Sequence, residues 1–168
     1  MDNAKEISLI LDQISNRGGR RTADIEEEKV KLVVFTLRGE LFAFKGSEVK
    51  EILPGQNIYY VPGAPDYITG LINNRGDVES VMDINGLLGL PGSVRGPQSR
   101  IILACGAGVR SGILVDSVLD VVDLPASAIK PPISTLDGKK KEFVTGEAAH
   151  DGRNVTMLGA GAIFEKMK

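Results

Sequence analysis

The chain predicts an all-β architecture, a barrel or a sandwich, and three observations point there. About nine short stretches either alternate apolar and polar residues or run apolar for a few residues, as strands do. They are punctuated by turn formers, the 168 residues including 20 glycines and eight prolines. Sustained helical periodicity is confined to a stretch before residue 17, and no repeat of roughly 20–50 residues is visible.

The elements follow in chain order. Residues 3–16 carry Ile7, Ile10, Leu11 and Ile14, the stripe of an amphipathic helix, with Asn3 and Glu6 at capping-box spacing and Gly18-Gly19 as a stop. So short a helix is marginal alone and must dock or fray. Residues 17–29 are charged and nearly free of apolar side chains, a linker. Residues 1–29 thus form one segment and residues 30–168 the body. From Lys31 the period falls to two: Val33, Phe35 and Leu37 alternate with Val34 and Thr36, Arg38-Gly39-Glu40 turns, and Leu41–Lys45 returns as a hairpin. In Glu48–Leu53, Val49 and Ile52 lie three apart, which predicts a turn or two of helix ended by Pro54-Gly55. Ile58–Val61 reads as a short strand and Pro62-Gly63-Ala64-Pro65 as a stiff turn. Tyr67–Asn73 and Val78–Asp83 make a second hairpin about Asn74-Arg75-Gly76-Asp77, and Ile84–Leu90 a short helix. Arg100–Cys105, Ser111–Val118 and Leu119–Leu124 are strands. Ile129–Gly138 is a Pro-rich loop leading to the basic tip Lys139-Lys140-Lys141. Phe143–Ala149 and Asn154–Leu158 form a last hairpin, before a short helix with Ala162, Ile163, Phe164 and Met167.

Composition excludes several functions. Residues 1–30 hold five cationic and seven anionic side chains, leaving 15 of each sign in the rest, so the net charge of −2 belongs to the N-terminal segment. A neutral body lacks the basic excess of a nucleic-acid binder or of a protein held to anionic lipid by charge. Its lone cysteine, Cys105, precludes an intrachain disulfide, and its lone histidine, His150, a two-histidine metal motif. His150 lies in a turn, His150-Asp151-Gly152, a poor place for a catalytic base. The acidic start does not read as a signal peptide and no apolar run approaches the ~20 residues of a membrane span, so a cytoplasmic protein is expected.

The remaining signals read as structure. The stretch Gly106-Ala107-Gly108-Val109-Arg110-Ser111-Gly112 lies between two strands, without the following helix a dinucleotide site needs. Cys105, beside Leu103 and Ala104, reads as a buried inert thiol, and the lysine run as a solvated loop tip. Asp116, Asp120 and Asp123 are too dispersed along strand and turn for a metal site. Arg75-Gly76 joins a five-donor planar fork to a residue that accepts positive φ and close backbone approach.

With those pieces in place, the sequence resembles the CheW family of chemosensory adaptors. The resemblance rests on the hairpin Leu32–Phe44, Val49-Lys50-Glu51-Ile52, Val61-Pro62-Gly63-Ala64-Pro65, Gly70 with Asn73-Asn74-Arg75-Gly76 and Asp83, and Gly112-Ile113-Leu114-Val115-Asp116-Ser117-Val118, in that order across residues 30–168. It implies two small five-stranded SH3-like barrels packed on a shared core and no catalysis; the short helices at the N- and C-termini rest on the residue pattern, and no cofactor or metal is expected. It implies two partners, the regulatory domain of the histidine kinase CheA and the cytoplasmic tips of methyl-accepting receptors, with the protein held at receptor arrays through them. The residues it associates with coupling are Glu51 and Arg75, with Val49, Gly70, Asn73 and Gly76 framing the same surface. The chain departs from the family pattern at Asn74 (usually apolar), at Ser80 (usually proline, here preceded by Glu79) and over Met157–Gly161. A stand-alone β-barrel module for peptide or nucleic acid, a carboxylate enzyme and a paralogue that competes with the main adaptor are the rivals. The few aromatics and the neutral body weigh against the first.

Overall fold

The computed structural model describes residues 27–132 and 138–167. The helix expected over residues 3–16 lies outside them, as does most of the linker. Ten strands are described: β1 Lys29–Leu37, β2 Glu40–Lys45, β3 Val49–Pro54, β4 Ile68–Asn74, β5 Asp77–Met82, β6 Arg100–Gly106, β7 Val109–Val115, β8 Ser117–Pro125, β9 Val144–His150 and β10 Arg153–Leu158. Two helices, α1 Gly138–Lys141 and α2 Ala160–Lys166, complete the fold. The strands form two five-stranded sheets, β8-β1-β2-β10-β9 and β3-β6-β7-β5-β4. Each curls into a small SH3-like barrel, hereafter barrel 1 and barrel 2. Among the described residues no helix is long and apolar enough to cross a membrane.

Tight turns set the hairpins. Arg38-Gly39, Arg75-Gly76, Ala107-Gly108 and Asp151-Gly152 each have positive φ at both residues, as the type I′ turns that match strand twist require.

The apolar residues divide into three cores. Leu32, Val34, Leu41, Ala43, Ala148, Val155 and Met157 fill barrel 1. Leu53, Ile72, Val81, Ile101 and Leu114 fill barrel 2. Between the barrels lies a third and larger core, which includes Phe35, Phe42 and Phe44 from barrel 1 and Ile102, Ala104, Ile113 and Val115 from barrel 2. Alternation sends even and odd residues of β1 to two different dry faces, which is why Leu32–Phe35 is continuously apolar.

The two barrels are one design used twice. β6 and β7 form an antiparallel hairpin flanked by β3 and, in parallel, by β5; β1 and β2 do the same with β8 and β10. The registers coincide residue by residue. Glu51 opposes Leu103 as Asp120 opposes Val34, Ile72 opposes Glu79 as Ala148 opposes Val155, and Val81 pairs with Gly112 as Met157 pairs with Ala43. Isolated bridges recur too, Tyr59 to Leu71 and Lys130 to Glu147. Barrel 2 is contiguous in sequence, whereas barrel 1 takes β1 and β2 from one end of the body and β8–β10 from the other.

Several expectations are corrected. Val49–Pro54 is a strand, not a helical turn; the helical element there is a single 3-10 turn, Gly46–Glu48. A bulge between Val49 and Glu51 turns Val49 and Ile52 to the same core, producing helix-like spacing in a strand. Ile58–Val61 contributes one bridge through Tyr59 rather than a strand. Ile84–Leu90 contains a 3-10 turn, Asn85–Leu88. Within the lysine run Lys140 is not at a free tip: it bonds Glu40 at 2.9 Å and lies 6.0 Å from the Phe42 ring centre. Cys105 is half-buried rather than buried. The three aspartates are separately engaged, Asp116 by the Arg38 amide at 2.6 Å, Asp123 by Lys31 at 3.3 Å and Asp120 by His150 at 3.5 Å.

Glu48 closes the 3-10 turn that carries the chain from barrel 1 to barrel 2. Its Oε1 is buried without a hydrogen-bond partner among the described residues. Burial raises its pKa above 4.5, against the pull of the Ala160, Lys45 and Gly161 backbones and the Lys45 charge. The folded state therefore holds this proton more tightly than the unfolded chain, and stability falls as pH rises from about 4.5 through the folded-state pKa. Glu48→Gln is expected to remove that slope and to melt higher than wild type at neutral pH. Thermal melts of both proteins between about pH 4 and 8 test this, and equal melting temperatures at neutral pH would contradict it.

Candidate functional site

Barrel 2 opens at the end where its inward-facing positions cease to be apolar. The register places Glu51, Leu103, Gly112, Ile72 and Glu79 on the interior side. Two residues further toward this mouth, Asn74 follows Ile72 and Arg110 precedes Gly112 on the same face. The result is a groove of about 280 Å³ lined by Lys50, Glu51, Asn74, Arg75, Asp77, Leu103 and Arg110.

The turn between β4 and β5 aims Arg75 into this mouth. Arg75 adopts φ 57° and Gly76 φ 89°. The Gly76 amide donates to Asn73 Oδ1 at 2.9 Å, so the Asn73 side chain closes the turn. Arg75 Nη2 then donates to Glu51 Oε2 at 2.5 Å and Nη1 to Glu51 Oε1 at 3.3 Å, a two-pronged contact. Asn74 Nδ2 donates to the same Oε1 at 3.3 Å. The Arg75 side chain is 74% exposed and that of Glu51 25%, so the fork lies outermost.

Of the six residues the resemblance pointed to, Glu51 and Arg75 touch directly, and Asn73 and Gly76 shape the turn that carries Arg75. The other two are placed elsewhere. Val49, beyond the bulge, packs against the core between the barrels. Gly70 is buried where the chain at Tyr59 crosses it: a Cβ there would meet the Tyr59 carbonyl at 2.4 Å and Ile58 Cγ2 at 2.7 Å. Glycine is required at Gly70 by this backbone approach.

Sequence reasoning missed a second pair. Arg110 Nη2 bonds Glu79 Oε2, and Arg110 Nε donates to Glu79 Oε1 at 3.4 Å. The Glu79 side chain is 7% exposed and that of Arg110 45%. Hydrogen bonding to Glu79 and its charge hold the Arg110 guanidinium more firmly protonated than usual. A signal was present: Glu79 has the parity of Val81 in an alternating strand, and an acid at an inward position demands a cation. The partner, 31 residues away, had no such mark.

Comparison with known proteins gives a consistent result. The CheW-like domain family model matches residues 31–168. The chain is 30% identical over 148 residues to the chemotaxis protein CheW of Bacillus subtilis (strain 168), spanning 86% of this chain and 92% of that protein. It is 27% identical over 112 residues to protein PilI of Pseudomonas aeruginosa, spanning 67% and 63% respectively. Among solved structures, the scaffolding protein TtCheW from Thermoanaerobacter tengcongensis superposes with a TM-score of 0.72 at 31% identity, covering 82% of this chain and 94% of the other.

Proposed function

This chain belongs to the CheW-like domain family, whose members are non-catalytic scaffolds coupling chemosensory receptors to the kinase CheA, and from that premise we propose that it does the same work for its own receptors and kinase. It catalyses nothing itself. Its partners are the regulatory domain of a CheA kinase and the cytoplasmic tips of methyl-accepting receptors, and it resides at receptor arrays through them. The contact surface includes Glu51 and Arg75, with Asn73 and Gly76 shaping the turn that presents Arg75, Gly70 permitting the close backbone approach at Tyr59, and Val49 anchoring the start of the Glu51 strand in the core between the barrels.

The observation that carries the reading is the match over residues 31–168 together with the Glu51–Arg75 contact at the barrel mouth. The arrangement suits an adaptor. An exposed guanidinium held by one carboxylate can exchange that acceptor for a partner's at small cost, because an exposed pair contributes only about 0–1 kcal/mol. Co-sedimentation of the wild-type protein with receptor arrays and kinase, with kinase activity as a second readout, tests the function. Binding to both with altered kinase output is expected. A protein that binds neither and leaves the kinase unaffected is not an adaptor.

A further inference from the structure

We propose that Arg110, seated on Glu79, is a second partner-contacting guanidinium beside Arg75, and that the two together select a partner segment bearing paired carboxylates. The inference rests on the adaptor reading above.

The internal duplication supplies a control within the same molecule. In the register of barrel 1, Glu79 corresponds to Val155 and Arg110 to Leu41. Val155 and Leu41 are 1% and 5% exposed and belong to the apolar filling of that barrel. The fold therefore closes this position with an ordinary aliphatic pair, and barrel 2 has an ion pair in its place. A buried acid with its cation rarely stabilises more than well-packed apolar side chains of similar volume. Stability does not account for Glu79 and Arg110; the direction in which they leave a guanidinium pointing does.

Arg110 engages Glu79 with Nε and Nη2, and among the described residues nothing accepts from its Nη1. Across the groove, Arg75 commits both terminal nitrogens to Glu51. The acids Glu51 and Glu79 sit deep while Lys50, Arg75 and Arg110 form the outer layer, with Asp77 as the exposed acid among them. A partner approaching this mouth meets two planar forks and an ammonium, with Asp77 beside them, before it meets Glu51 and Glu79. Forks of this kind match carboxylates in two-pronged geometry. The corresponding rim of barrel 1 carries Asp120, His150 and Asp151 with one arginine, Arg153, at the position of Asp77, so the excess of cations over acids at this rim is a property of barrel 2 and not of the fold.

The test uses the full chain with two probes, the purified kinase regulatory domain and a receptor-tip hairpin from the same organism. Glu79→Val combined with Arg110→Leu installs the barrel 1 pair and keeps the position filled. Arg110→Lys keeps the charge and removes the fork. The double variant is expected to melt no lower than wild type, and to bind about tenfold or more weakly to whichever probe Arg75→Asn also weakens. Its binding should show less salt dependence, with Arg110→Lys intermediate. A double variant that binds like wild type, while Arg75→Asn is impaired, overturns the role of Arg110 and leaves the adaptor reading standing. Wild-type protein that binds neither probe overturns the adaptor reading and this inference with it.

Discussion

Arg75→Asn is expected to weaken partner binding by about 2 kcal/mol or more, some 30-fold, without lowering the stability of the fold. The two effects separate because of where Arg75 sits. It occupies the first central position of a type I′ turn at φ 57°, a conformation that asparagine adopts more readily than arginine. The substitution relieves backbone strain of order 1 kcal/mol. It gives up an ion pair whose arginine is 74% exposed, a loss of roughly the same size or less. What disappears is the fork itself, and central arginines are among the side chains whose truncation most often damages an interface. Calorimetric titration with each partner, alongside a thermal melt, measures both quantities. Unchanged affinity for both partners would remove Arg75 from the contact surface; a large fall in melting temperature would mean that the turn depends on the Glu51 contact for its shape.

The largest effect on stability is expected from Phe35→Ala. Phe35 is fully buried in the core between the barrels, its ring centre 5.1 Å from that of Phe44 and 6.2 Å from that of Phe42. Removing a buried phenylalanine costs about 3–5 kcal/mol through lost burial and the cavity left behind. Against a total of about 5–15 kcal/mol for a domain, that is a severe loss. Because this core draws on both sheets, both barrels should lose stability together, in one transition at lower denaturant. Denaturant titration followed by hydrogen exchange on β1 and on β6 checks this. A loss below about 1 kcal/mol, or protection lost on β1 and retained in full on β6, would show that the barrels do not depend on their common core.

The site was partly readable in the residues. Arg75-Gly76 is a turn by composition, and its φ values are what the neighbouring glycine and the flanking strands dictate. That Glu51 reaches it was implied by the family resemblance, not by any local pattern, because the two lie 24 residues apart. The resemblance also grouped Val49 and Gly70 with them, and here structure divides the group. One bulged residue rotates Val49 away from Glu51 into the core between the barrels, and Gly70 answers to the Tyr59 carbonyl. Bulges are set by how two strands pair, which the bulged strand alone does not record. The same bulge made Val49–Leu53 resemble a helical turn.

The amino-acid sequence by itself determined most of the strands, though not β3, together with the four X-Gly turns and the exclusion of nucleic-acid, disulfide and two-histidine chemistry, since these follow from dihedral preferences, period-two patterning and residue counts. Tertiary structure decided the rest: that one barrel is contiguous and the other assembled from both ends of the body, that their registers coincide without a visible sequence repeat, and that Glu79 lies under Arg110 where Val155 lies beside Leu41. The physical reason is range. Local conformation is written within a few neighbouring residues, whereas these facts depend on which strands pair. Such pairing joins residues as distant as Ala43 and Met157, and many apolar side chains of suitable size satisfy it.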